Sequence, residues 1–270
     1  MQGVEGFLIV NPRSGSARPD AGELADEARA RGIRVHVLAE GEDPAAVARR
    51  ADASALGVAG GDGSLADVVA VAVERDLPFV CVPFGTRNHF ARDLGIDPGD
   101  PVAALEAFTG GSERRVDVGR AGDRLFLNNV SVGLYGRLVH RRERHRRRRE
   151  ALARLRALLL LARRHRPLEL TIDGDPFETR VLLVSNNRYQ LDLFSLGERP
   201  RLDEGSLYLY RADGVLPRHW DGPTAVRELT IDARRVPVPA AIDGEPVALE
   251  LPLLIRAEPQ ALRVLVPQFE

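Results

Sequence analysis

The sequence predicts an α/β nucleotide-binding domain followed by a β-rich antiparallel domain, and three observations carry that reading. Over roughly the first 110 residues, apolar runs alternate with helical patterns, as in a parallel sheet covered on both faces. From about Val116 the texture changes to short β-like runs punctuated by Gly, Asp and Pro. Between two of the early elements, Val58-Ala59-Gly60-Gly61-Asp62-Gly63-Ser64-Leu65 joins an apolar run to the start of a helix.

In order, Gly6–Val10 reads as a strand, Gly22–Arg31 as a helix, Arg34–Leu38 as a strand and Pro44–Ala51 as a helix. Ala55–Ala59 is a strand entering the glycine loop, Leu65–Arg75 a helix and Phe79–Val82 a strand. Ligands of such sheets bind beyond the carboxyl ends of the strands. Three polar loops leave those ends: Asn11 to Ser16, Gly60 to Ser64, and Pro83 to His89. They are expected to converge on one cleft. The later strands are Leu125–Val130, Glu169–Ile172, Arg180–Val184, Ser206–Tyr210, Glu228–Ile231 and Leu262–Val266. The domains are therefore expected at 1–117 and 118–270, with an Arg-rich helical insertion at about 137–166.

Glycines allow close backbone approach and positive φ, while a following helix aims free N–H groups and partial positive charge at an anion. An aspartate inside such a cradle repels phosphates unless it holds a cation or accepts a proton, so Asp62 is the first residue to examine for chemistry. Read alone, Gly61-Asp62-Gly63 also suits a plain tight turn between strand and helix. The same holds for Ile242-Asp243-Gly244-Glu245-Pro246, because Asp-Gly is a common hairpin signal.

Composition narrows the function classes. All 38 basic residues are arginine, which removes the lysine-dependent phosphate sites of Walker A loops and protein kinases. The single cysteine, Cys81, lies in an apolar run and reads as a small buried hydrophobe; it excludes a disulfide framework and a cysteine-based zinc site. The first residues lack a basic n-region followed by an apolar stretch, so a cytoplasmic location is expected. Leu155–Ala162 is far shorter than the roughly 20 apolar residues a spanning helix needs.

The net charge of −1 hides an asymmetry: residues 137–166 hold 13 Arg against Glu143 and Glu150, giving +11 locally and −12 elsewhere. This basic, partly amphipathic segment suits an anionic membrane surface through Arg141–Arg166, hence peripheral membrane association. It equally suits a solvated helix face. Nucleic acid is not expected as a partner, since no aromatic residues interleave the run. The apolar stretch Leu158–Leu161 could instead pair two protomers as a homodimer.

Six short elements stand in order: Asn11-Pro12-x-Ser14-Gly15, Gly60-Gly61-Asp62-Gly63-Ser64, Pro83-x-Gly85-Thr86-x-Asn88-x-Phe90-Ala91, Asp117-x-Gly119, Asn128-Asn129 and Asp243-Gly244-Glu245. Together they resemble the diacylglycerol kinase catalytic-domain family of lipid kinases, which includes the sphingosine kinases. The resemblance implies an N-terminal NAD-kinase-like α/β domain, a C-terminal β-sandwich domain and an active site between them. It implies ATP and Mg2+ as cofactors. Asn11, Ser14, Gly15, Gly60, Gly61, Asp62, Gly63, Ser64, Thr86 and Asn88 would then bind the nucleotide, and Asp62, Asp243 and Glu245 would serve metal binding and proton abstraction.

The implied reaction is transfer of the γ-phosphate to a lipid alcohol, with diacylglycerol giving phosphatidic acid in phospholipid biosynthesis. The acceptor could also be a sphingoid base, a polyprenol or NAD, and a catalytically weak relative that binds nucleotide or lipid as a regulator stays open. Which carboxylate is the base also stays open. Bacterial members carry a second, structural metal loop, and Pro200–Leu207 resembles it: Glu204 would give a side-chain oxygen, with the carbonyls of Arg201 and Ser206 beside it. The family's usual residue there is aspartate, and a plain hairpin turn is the alternative. His89 stands where the family commonly has aspartate, so either the acceptor or the pH range differs, or His89 points away. Many relatives continue further and return to the first domain, a closure not expected here.

Overall fold

The computed structural model describes residues 5–14, 19–85, 88–133, 168–192, 195–196, 198–212, 221–234 and 238–268. Contacts divide the chain into one unit of 1–118 with 259–270 and a second of 119–258.

The first unit alternates as the sequence predicts: β1 (Gly6–Val10), α1 (Ala21–Ala30), β2 (Arg34–Val37), α2 (Pro44–Arg50), β3 (Ala55–Gly60), α3 (Asp62–Glu74) and β4 (Phe79–Pro83). A one-turn helix α4 (His89–Asp93), a 3-10 turn (Ala103–Glu106), α5 (Ala107–Gly110) and β5 (Ser112–Ala121) follow. The strands run parallel in the order β2-β1-β3-β4. Every residue of β3 and β4 is buried, which explains their unbroken apolar sequences.

Local chemistry fixes the helix starts. Asp20 caps α1 through a reciprocal pair with Glu23, each bond 2.8 Å. Asp43 caps α2 ahead of Pro44, whose missing N–H costs nothing in the first turn. Helix α3 begins at Asp62 rather than at Leu65, with Gly61 as its N-cap. An acidic side chain in a first turn is favoured by the helix dipole, which offsets the poor helix propensity of Gly63.

The second unit holds β6 (Arg124–Phe126), β7 (Asn129–Gly133), β8 (Leu168–Ile172), β9 (Asp175–Thr179), β10 (Val181–Asn186), β11 (Leu191–Asp192), β12 (Ser195–Leu196), β13 (Leu207–Ala212), β14 (Asp221–Val226), β15 (Glu228–Ala233), β16 (Pro239–Ile242) and β17 (Glu245–Ala248). The first part of β18 (Leu253–Val266) belongs here too. One antiparallel sheet runs β14-β13-β10-β7-β16-β17. Facing it, β15 pairs with β18 and β8, and β8 with β9, all antiparallel. Val130, Val132, Leu182 and Val184 of the first sheet pack with Leu170, Leu229, Ile231 and Ile255 of the second in one core. This is the predicted sandwich. The outer strands β9, β14 and β17 carry Pro176, Pro223 and Pro246, which remove donors from edges that would otherwise template aggregation.

One boundary expectation is corrected. The last part of β18 pairs parallel with β4, Val264 opposite Phe79 and Leu265 opposite Val80, so residues 259–270 rejoin the first unit instead of ending the second. The return to the first domain, expected to be missing, is thus present in this short form. Arg263 holds it with a two-pronged ion pair to Glu113, at 2.9 and 2.8 Å.

Candidate functional site

In the first unit the loops after β1, β3 and β4 meet. Asn11 Nδ2 donates to Ser64 Oγ at 2.8 Å, tying the first loop to the opening turn of α3. The Asn11 carbonyl accepts from Ser14 N at 3.1 Å, and its side-chain oxygen from Arg13 N at 3.1 Å, so the loop folds back on itself. Gly85 lies against the glycine loop: a Cβ built there would stand 2.5 Å from Gly61 Cα. Asn88, buried and left-handed at φ 49°, grips Gly85 in both directions, with Gly85 N donating to its Oδ1 at 2.9 Å and its Nδ2 donating to Gly85 O at 3.0 Å.

Asp62 sits where these loops meet. Ser64 N and Leu65 N already bond to Gly61 O, at 2.9 and 3.3 Å, whereas the N–H groups of Asp62 and Gly63 precede any intrahelical acceptor. The Asp62 carboxylate receives His89 N at 3.4 Å and Phe90 N at 3.3 Å, so it faces the first turn of α4 as well. Contacts that long leave lone pairs for stronger partners. Beneath the loop, Cys81 is fully buried; burial, and secondarily the Asp62 charge, push its thiol pKa far up. It is inert, as its sequence context predicts.

Glycine backbone, first-turn N–H groups, an amide, a hydroxyl and one carboxylate are brought together here, a donor set of the kind that can cradle a polyphosphate. Among the described residues, no cluster of three or more His, Cys, Asp or Glu side chains could hold a metal ion by itself. A magnesium ion, however, is usually bound through one or two carboxylates plus substrate phosphates, and Asp62 fits that donor set.

The other sequence-predicted residues lie in the second unit. Asp243 (φ 47°) and Gly244 (φ 81°) form the two-residue turn between β16 and β17, with Ile242 paired to Glu245. The Asp243 side chain turns inward and accepts Leu127 N at 2.7 Å, Asn128 N at 2.7 Å and Asn129 N at 3.0 Å. Its carboxylate is thus a clamp on the 127–129 segment. Glu245 is exposed, with Arg124 at 3.9 Å.

In the 201–206 loop, the Glu204 carboxylate accepts Arg188 N at 2.9 Å and Glu204 N donates to Asn187 Oδ1 at 2.9 Å. Glu204 also raises the Tyr208 pKa, behind the burial of that hydroxyl. Arg201 pairs with Asp203 at 3.0 Å, and Ser206 Oγ donates to Glu204 O at 3.4 Å. The Glu204 side chain is thus bonded within the loop's own surroundings, while Arg201 and Ser206 enter these bonds through their side chains and not through the carbonyls. Gly15, Thr86 and the segment Arg141–Arg166 lie outside the described residues.

Sequence reasoning missed Arg199 and Tyr189. Both are buried next to Asn128 and Asn129, and one arginine among so many carries no signal of burial.

Residues 5–121 match the family model of the diacylglycerol kinase catalytic domain. A "Probable lipid kinase YegS-like" from Chromohalobacter salexigens is 34% identical over 145 residues, covering 50% of this chain and 45% of that protein. Its namesake from Pseudomonas putida is 32% identical over 139 residues, covering 49% and 46%. A "Diacylglycerol kinase" from Mycobacterium tuberculosis is 36% identical over 88 residues, covering 33% and 26%. The matches thus span about half or less of the curated relatives' length. The crystal structure of a diacylglycerol kinase from Bacillus anthracis superposes with a TM-score of 0.69 over 98% of both chains at 18% identity, which shows a shared fold.

Proposed function

From the match of residues 5–121 to the diacylglycerol kinase catalytic-domain family model we propose that the chain is a member of that family and an ATP-dependent lipid kinase, transferring the γ-phosphate to the hydroxyl of a lipid alcohol. The observation that carries the proposal is the placement of Asp62. It is the one carboxylate of a glycine cradle, on the first turn of α3, facing the first turn of α4.

Phosphoryl transfer asks the protein mainly for positioning and charge stabilisation. The N–H groups of Asp62 and Gly63 and the amide of Asn11 supply donors for phosphate oxygens. Gly61 and Gly85 let the phosphate chain reach the backbone. Asp62 would also hold magnesium, which when bound spreads the charge developing on the phosphates. Either Asp62 or Glu245 takes the proton of the attacking hydroxyl. Diacylglycerol is the leading acceptor. Attachment to anionic lipid through Arg141–Arg166 belongs to the same proposal, since each well-placed arginine adds roughly 1 kcal/mol at such a surface.

The test is transfer of labelled γ-phosphate from ATP to a panel of lipid alcohols in mixed micelles with magnesium, with Asp62→Asn as control. Labelled lipid that disappears in the control establishes the kinase and its acceptor class. ATP binding without transfer to any alcohol turns the reading to a nucleotide-binding regulator.

A further inference from the structure

Arg199 is one of the largest fully buried side chains, 2% exposed. A buried guanidinium is tolerated only where its donors are filled and its charge is balanced. Its Nη1 donates to Leu127 O at 2.6 Å and to Asn186 O at 2.9 Å, and its Nη2 donates to Asn128 Oδ1 at 2.7 Å. The guanidinium carbon also lies 5.5 Å from the centre of the Tyr189 ring.

The carbonyl of Leu127 and the N–H of Asn128 are two ends of one peptide group. Arg199 holds the carbonyl end at 2.6 Å and Asp243 holds the N–H end at 2.7 Å. Cation and anion are thus joined through a single peptide dipole, in which each hydrogen bond strengthens the other. Asp243 N returns a bond to Asn129 O at 2.9 Å, and Asn129 Nδ2 donates to the Tyr189 hydroxyl at 3.2 Å. The turn that carries Glu245 is therefore anchored on a segment that Arg199 fixes from the opposite side.

We propose that Arg199 is a positioning residue for the reaction: through the Leu127–Asn128 peptide group it holds Asp243, and with it the hairpin that presents Glu245. The inference rests on the reading of Glu245 as a reaction carboxylate. It does not require Arg199 to touch a substrate.

The test compares Arg199→Met, Arg199→Lys, Asp243→Asn and the double variant Arg199→Met/Asp243→Asn with the parent chain, reading kcat, KM for ATP, thermal midpoint and amide exchange at 127–129. Arg199→Met is expected to lose roughly ten- to hundred-fold in kcat, the range for residues that orient a site residue. Its KM for ATP should stay within about two-fold, because the nucleotide cradle does not include it. The Asn128 amide should lose protection, Arg199→Lys should fall between, and the double variant should be no worse than the poorer single one. A folded Arg199→Met with parental kcat and exchange overturns the proposal, as do additive losses in the double variant. Should Arg199→Met not fold, Arg199→Lys decides on the same readouts. If the parent chain phosphorylates no alcohol, the kinase reading falls by itself, and unchanged Asn128 exchange in the Arg199 variants is then what overturns the peptide-relayed clamp.

Discussion

Asn11 Nδ2 and Ser64 Oγ, 53 residues apart in sequence, meet at 2.8 Å and lock the loop after β1 to the first turn of α3. One such bond is worth about 1 kcal/mol. Ser64→Ala should therefore raise KM for ATP about five-fold with little change in thermal midpoint, since the bond joins two loops at the site and no core element. An unchanged KM would mean that the loop is held elsewhere.

Gly85 gives a sharper result. Its built Cβ would lie 2.5 Å from Gly61 Cα and 2.8 Å from Asn88 Oδ1, and neither the backbone nor the clamped amide can yield cheaply. Overpacking of this kind costs about 1–3 kcal/mol. Gly85→Ala should weaken ATP binding by about five- to hundred-fold, with near-parental far-UV circular dichroism. Titration calorimetry with ATP measures it, and parental affinity would show that the two loops need not touch.

Much of this architecture was legible in the residues. Strands β3 and β4 read correctly because a strand buried on both faces is a continuous apolar run. The start of α3 was misplaced because Gly63 looks like a helix breaker, while the Gly61 cap and the Asp62 charge outweigh it. Only the last five residues of the fourteen-residue strand β18 were legible: Pro259 interrupts the run, and Arg256 and Glu258 point charge outward into an ion pair. The inward turn of Asp243 could not be read, because its partners Leu127, Asn128 and Asn129 are 114 to 116 residues away. Asp-Gly-Glu in sequence displays three residues; the fold divides them into a clamp, a turn and an exposed carboxylate.

The 201–206 loop predicts indifference to chelators. Glu204 is held by Arg188 N and Asn187 Oδ1, both at 2.9 Å, so excess EDTA should leave the thermal midpoint of the chain without nucleotide unchanged. Glu204→Ala should lower stability by about 1 kcal/mol through the lost bond to Arg188 N. A drop in midpoint on EDTA, reversed by magnesium or calcium, would instead place a cation in this loop.

Acid stability should depend on Glu258. Arg120 grips its carboxylate with two bonds, 2.6 Å from Nε and 2.9 Å from Nη2, and Arg256 adds a third at 3.1 Å. The Arg120 hydrogen bonds hold its pKa below the usual carboxylate value, against a partial desolvation that raises it. A depressed folded-state pKa means that the unfolded chain binds the proton more readily. The contribution to stability is therefore present above the unfolded value of about 4.3 and is lost as pH falls through the folded value. Urea unfolding of the parent and Glu258→Gln from pH 7 to 3 should show the parent more stable at neutral pH, with the gap narrowing only below about pH 4.5. A gap constant across that range would assign the effect of Glu258 to packing instead of to its charge.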